Sequence, residues 1–229
     1  MVDEEAPLTI RKLYVKLFEM YGPQGWWPVL DENGNQFYHK GDYSYPKTRK
    51  QQFEIIIGAI LTQNTSWKQV DKSLHALHSL GALEAEKLLL LSDSTLKEAI
   101  RYAGYYNQKA DRLQRVARWF FQRDENIPRR EELMEMKGIG PETADSILLY
   151  AFHQPSFIID SYTKRVMSGL GFCEEKVKYD RLKELFEDNL EKDVILFQEY
   201  HALIVEHAKR YYTTTSKEDD PLTTIESHG

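Results

Sequence analysis

The chain has 229 residues, 41% of them hydrophobic, and a formal charge of −6. That length can bury a sizeable core in one or two small domains, and no apolar run approaches the ~20 residues a membrane span needs. Asp3, Glu4 and Glu5 carry three of the negative charges and the tail from Lys217 to Glu226 a net three more, so residues 6–216 are neutral and the acidic total does not exclude a polyanionic partner.

The acidic start, Met1 to Glu5, lacks the charged-then-apolar pattern of a signal peptide, so a cytoplasmic protein of a prokaryote is expected. Helical spacing of apolar residues begins with Leu13 and Leu17, and Gly22 is a stop signal. Residues 22–46 are irregular, rich in Gly, Pro and Asn, and hold Trp26, Trp27, Phe37, Tyr38, Tyr43 and Tyr45. Three-and-four spacing resumes at Phe53, Ile56, Ile57, Ile60 and Leu61, then at Val70, Leu74 and Leu77, with Ser66 as a candidate N-cap and Gly81 as a stop. Ser92 is a further candidate cap, and Leu113, Val116, Ala117 and Phe120 form another helical face. Between residues 101 and 130, eight Arg and Lys side chains outnumber Asp111, Asp124 and Glu125, a local basic stretch suited either to solvent or to phosphates. The pattern continues through Ile147, Leu148 and Ala151, then Leu182, Leu185 and Phe186, and from Ile195 to Val205. No period-two strand of convincing length occurs, so the fold class is all-α, with about ten helices expected.

The most informative stretch is Leu133 to Asp145. A short helix over Glu131–Met136 runs into Lys137-Gly138-Ile139-Gly140, and Pro141 takes the first position of the next helix. Glycines allow a tight turn and close backbone approach, and the positive helix end then makes an anion site. Asp160 follows the apolar Phe157-Ile158-Ile159 and reads as the N-cap of another helix. A glycine turn alone is compatible with an αα-hairpin that only packs two helices.

This hairpin, with an aspartate at that spacing, resembles the helix-hairpin-helix DNA glycosylases related to endonuclease III. Further matches are Trp26-Trp27-Pro28, Gln52-Phe53-Glu54, Leu61-Thr62-Gln63-Asn64-Thr65, Tyr106-Asn107-Gln108-Lys109-Ala110 and Ala144-Asp145. Together they look most like the 3-methyladenine DNA glycosylases of that superfamily that lack an iron–sulfur cluster. The resemblance implies two helical domains with the active site in the cleft between them. One domain would cover about 47–150, and the other would combine 1–46 with 151–229. Asp160 would be catalytic, and Lys137, Gly138 and Gly140 would grip a DNA phosphate. Gln63 and Tyr105 would fill the gap left when a base is flipped out, although Tyr105 could equally be a packed aromatic. Trp26, Trp27, Pro28, Phe53 and Lys209 would form the base pocket, with core packing the alternative for the tryptophans.

Bifunctional relatives place a lysine two residues after the second hairpin glycine, where it attacks the sugar; here Glu142 stands there. The resemblance therefore implies a monofunctional enzyme that hydrolyses the N-glycosidic bond of alkylated purines, with no lyase step. Cys173 is the only cysteine, so neither an internal disulfide nor a four-cysteine cluster can form. The expected partner is double-stranded DNA with a damaged base, bound by a monomer without cofactor, metal or membrane. Departures from the family are the acidic tail and the insertion from Leu30 to Tyr45. An enzyme for mismatched, deaminated or oxidised bases and a non-catalytic DNA-binding module are the other readings.

Overall fold

A computed structural model describes residues 8–213 and 220–223. The charged residues Asp3 to Glu5, Lys217 to Asp219 and Glu226 lie outside them. The described chain is all-α apart from one two-stranded pair. It divides into two compact units, one formed by 1–25 with 155–229 and the other by 26–154. No helix among the described residues is long and apolar enough to cross a membrane.

Unit 26–154 is built around α2 (Arg49–Leu61). Thr48 starts this helix by accepting from Gln51 N at 3.2 Å. Every residue from Phe53 to Leu61 is buried, so α2 is apolar on all sides and forms the centre of the unit. Around it lie α3 (Trp67–Ser79), α4 (Ala85–Leu89), α5 (Asp93–Ala99) and α6 (Tyr106–Gln122). Ser92 caps α5 through Thr95 N at 3.1 Å. Ser66 stands at the N-cap position of α3 but makes no side-chain cap bond, so there the expectation holds for position only. α7 (Arg130–Glu135) and α8 (Pro141–Ser146) form the hairpin, and α8 runs on as a π-helical turn over Ile147–Ala151.

The insertion contains structure that the helical reading passed over. β1 (Val29–Leu30) pairs antiparallel with β2 (Gln36–Phe37), with Val29 opposite Phe37. Asp31 closes the turn by accepting from Asn33 N and Asn35 N at 2.9 and 2.8 Å. Leu30 N donates to the buried Glu54 of α2 at 2.6 Å, and the Trp27 ring lies against Gly58, where a Cβ would come within 3.0 Å of it. These contacts move residues 26–46 into the unit of α2, correcting the expected boundary at residue 47; the first unit stops at Gly25.

The other unit holds α1 (Ile10–Tyr21), α9 (Ser161–Gly169), α10 (Tyr179–Asn189) and α11 (Val194–Tyr211). Gly22 ends α1 at φ +63° as expected. Phe157 stacks on Phe186 with centroids 3.9 Å apart, and Tyr200 OH donates to Ile10 O at 2.8 Å, joining α11 to α1. Beyond α11, Asp220 is fully buried against His207 at 3.1 Å and the Tyr212 hydroxyl at 2.7 Å, while His207 meets Tyr21 at 2.7 Å. Eleven α-helices are present among the described residues.

Candidate functional site

The hairpin turn is set by two glycines that differ in kind. After α7, Met136 is extended and Ile139 N reaches back to Met136 O at 2.9 Å. Gly138 has φ +95°, a conformation L side chains rarely adopt, and the Arg112 side chain occupies the space where its Cβ would stand. Gly140 is extended, and a Cβ there would meet nothing within 4 Å. The fold thus requires glycine at 138 but not at 140, where the missing side chain leaves backbone bare to the outside. α8 starts after Gly140 with no side-chain cap and with Pro141 in its first turn. Buried Asp145 accepts from Arg130 Nε and NH2 at 2.8 and 3.0 Å, a bidentate pair that braces α7 against α8. Lys137 and Glu142 are both exposed.

Two loops of the same unit carry the residues expected to fill the gap. Gln63 follows α2, and its Nε2 donates to Gly138 O at 3.0 Å and to Thr143 Oγ1 at 2.9 Å; its Oε1 accepts from Arg112. Gln63, which follows α2, is thereby tied to the turn between α7 and α8. Tyr105 sits at φ +46° just before α6 with 65% of its surface exposed, which removes the packed-aromatic alternative.

The aromatic residues are placed less uniformly. Trp27, Pro28 and Phe53 are buried, and Phe53 stacks on Phe120 at 5.1 Å. Trp26 is half-buried and meets Trp67 edge-on at 4.9 Å; Trp67 also meets Trp27 at 5.4 Å. Trp67 was missed in the sequence reading, although it directly follows the Leu61–Ser66 stretch.

In the other unit Asp160 is the N-cap of α9. Its Oδ1 accepts from Thr163 N at 2.7 Å and from Thr163 Oγ1 at 2.8 Å. Its Oδ2 lies 3.6 Å from His201 Nε2 on α11, and the carboxylate side chain is only 17% exposed. Burial pushes its pKa up, but His201 and the two Thr163 bonds outweigh this and hold the carboxyl below its ordinary value. Asp160 is thus ionised at neutral pH. His201 also went unread in the sequence, because a histidine within an apolar helix has no periodic signature. Lys209 lies exposed in the last turn of α11.

Among the described residues no group of three or more His, Cys, Asp or Glu is placed to hold a metal ion. An iron–sulfur cluster does not fit this chain, whose one thiol, Cys173, lies in the loop after α9.

The HhH-GPD superfamily of base excision DNA repair proteins matches residues 57–192, from the middle of α2 to the end of the α10 region. A protein of Methanocaldococcus jannaschii, assigned by inference as a DNA repair glycosylase, is 44% identical over 88% of both chains. An endonuclease III of Sulfolobus acidocaldarius is 32% identical, with 87% of this chain and 86% of that protein covered. The crystal structure of an H. pylori 3-methyladenine DNA glycosylase bound to 1,N6-ethenoadenine is similar with a TM-score of 0.68 at 27% identity. The match covers 90% of this chain and all of that one. With its glycine hairpin and capping aspartate, the chain belongs to the HhH-GPD superfamily of base excision DNA repair proteins.

Proposed function

We propose that this base excision DNA glycosylase is monofunctional and releases alkylated purines of the 3-methyladenine type from double-stranded DNA. The observation that carries this reading is Glu142, an exposed acid two residues past Gly140, where a lyase of this family would present its nucleophilic amine. Water is then the nucleophile, and Asp160 is the residue that serves it. As the glycosidic bond breaks, the sugar gains positive charge, which an ionised carboxylate stabilises; its Oδ2 can also orient the water. An alkylated purine already carries positive charge and leaves without a strong acid. The half-buried faces of Trp26 and Trp67 suit such an electron-poor ring, with Trp27 packed against both; Pro28 and Phe53 would complete the pocket. Likeness to the H. pylori enzyme over nearly the whole chain supports this substrate class. Gly140 and Lys137 would take a DNA phosphate, Gln63 and Tyr105 would fill the gap, and Lys209 would touch DNA. The protein is proposed to act as a monomer in the cytoplasm, without a cofactor.

Base release from a panel of defined lesion duplexes, with borohydride added during turnover, tests both parts. Release of 3-methyladenine with no covalent protein–DNA complex is expected, and strand breaks should appear only after alkali. Covalent trapping abolished by Lys137→Ala or Lys209→Ala would overturn the monofunctional reading. The similarity to an endonuclease III favours a second reading, a glycosylase for another damaged base. Release of an oxidised or mismatched base in preference to 3-methyladenine would establish it.

A further inference from the structure

Two cations one turn apart on α6, Lys109 and Arg112, reach the two gap-filling loops from inside the protein. Lys109 is 1% exposed, and its Nζ donates to Leu61 O at 2.9 Å and to Ala103 O at 2.7 Å. Leu61 is the last residue of α2, immediately before the Gln63 loop; Ala103 immediately precedes Gly104 and Tyr105. One ammonium thus joins the roots of both loops through their main chain. Burial, and then the nearby Arg112, draw its pKa down to about 8, so it remains largely charged at neutral pH.

Arg112 works further out. Its stem lies in the space left by the missing side chain of Gly138, and its guanidinium donates to Gln63 Oε1. Arginine has only donors, so the amide oxygen of Gln63 must face it, and the amide nitrogen must then face Gly138 O and Thr143 Oγ1. Three of the four hydrogen-bonding positions of the Gln63 amide are therefore set before DNA arrives.

We infer that Arg112 is a positioning residue for gap filling: it holds the Gln63 side chain on the hairpin, while Lys109 fixes the two loops as one wedge. This rests on the reading of Gln63 as the residue that enters the vacated space. A glutamine fixed in advance loses less side-chain freedom on insertion than a mobile one. The benefit is confined to substrates in which a stacked base has to be extruded, because a base already outside the stack leaves no gap to fill.

The test compares release of 3-methyladenine from a fully paired duplex and from a bulge that already holds the lesion outside the stack. Arg112→Met keeps the stem and removes the donors; Arg112→Lys keeps the charge. From the paired duplex, Arg112→Met should be slower by about tenfold or more, the loss of a charge-assisted hydrogen bond. From the bulge it should be within about twofold of the unaltered protein, and Arg112→Lys should recover most of the duplex rate. In a Gln63→Ala background the Arg112→Met effect should largely vanish, because the two residues act through one contact. Equal losses on both substrates, or full additivity with Gln63→Ala, would overturn the inference and leave the glycosylase reading standing. If Arg112→Met unfolds, the same comparison is read from Arg112→Gln. Absence of base release by the unaltered protein from either substrate would overturn the proposed function, and this inference with it.

Discussion

The N-termini of α8 and α9 begin from the same physics and end in opposite states. Each is the positive end of a helix that needs an acceptor. At α9 the chain supplies its own: Asp160 takes both the N–H and the hydroxyl of Thr163. At α8 the cap residue supplies none, since Gly140 has no side chain and nothing lies within 4 Å of where one would begin. The closed end keeps a carboxylate ionised in a largely buried position. The open end is left for an anion from outside, which in the proposed reading is a DNA phosphate. In that reading, a glycine and an aspartate at the same kind of position separate binding from chemistry.

Removing the charge at the closed end should have the largest effect. Asp160→Asn keeps a good helix cap, so α9 should persist while the transition state loses its counter-charge. Release of 3-methyladenine under single-turnover conditions should fall on the order of 10²- to 10³-fold, the scale of losing one aligned electrostatic group. Affinity for lesion-free duplex, measured by mobility shift, should be unchanged. An Asn variant that releases base at the normal rate would remove Asp160 from the mechanism.

Filling the open end should cost affinity and spare the fold. Gly140→Val places methyl groups over the bare backbone, and duplex binding should weaken by about tenfold for damaged and undamaged DNA alike, because phosphate contacts carry no sequence information. Thermal stability should stay within about 0.5 kcal/mol of the unaltered protein, as for surface changes in general. Gly138→Ala should do the reverse. Its φ of +95° and the Arg112 side chain behind it should make it lose about 1–3 kcal/mol in urea unfolding. Should Gly140→Val destabilise the protein as much as Gly138→Ala, the proposed division between a structural and a binding glycine would fail.

The stretch that carries this comparison was legible because its signals are local. Glycine, proline at the first helical position and a capping aspartate each act within four residues, and three-and-four spacing marked the helix faces. What escaped is held by bonds between distant parts of the chain. Arg112 is read as one more charge on a basic helix until the fold brings Gln63 and Gly138 to it, and Lys109 looks solvated until Leu61 and Ala103 close over it. His201 becomes meaningful only when α11 packs on α9. The pairing of β1 with β2 was missed because two-residue strands show no alternation, and the boundary at residue 47 was misplaced because the Leu30–Glu54 bond has no mark in sequence.

That same bond provides the last test, since Glu54 is a buried carboxylate treated oppositely to Asp160. Glu54 is 2% exposed; burial dominates its surroundings, and the Leu30 N–H and Lys50 offset only part of it, so its pKa is raised to about 7. For Asp160, held below its ordinary 3.8, the stabilising contribution is present above that pH and is lost as pH falls through its folded value. Glu54 has the opposite sign: the folded state binds its proton more tightly than the unfolded chain does. Its contribution is complete below 4.5 and is lost as pH rises through about 7. A span from 4.5 to about 7 corresponds to about 3 kcal/mol at most. Urea unfolding at pH 5 and at pH 8 should therefore show Glu54→Gln gaining stability relative to the unaltered protein at the higher pH. Glutamine keeps an acceptor for Leu30 N and carries no charge to bury, so the difference should shrink toward zero at pH 5. A pH-independent difference between the two proteins would show that Glu54 does not titrate in this range, and that burial alone does not separate the two carboxylates.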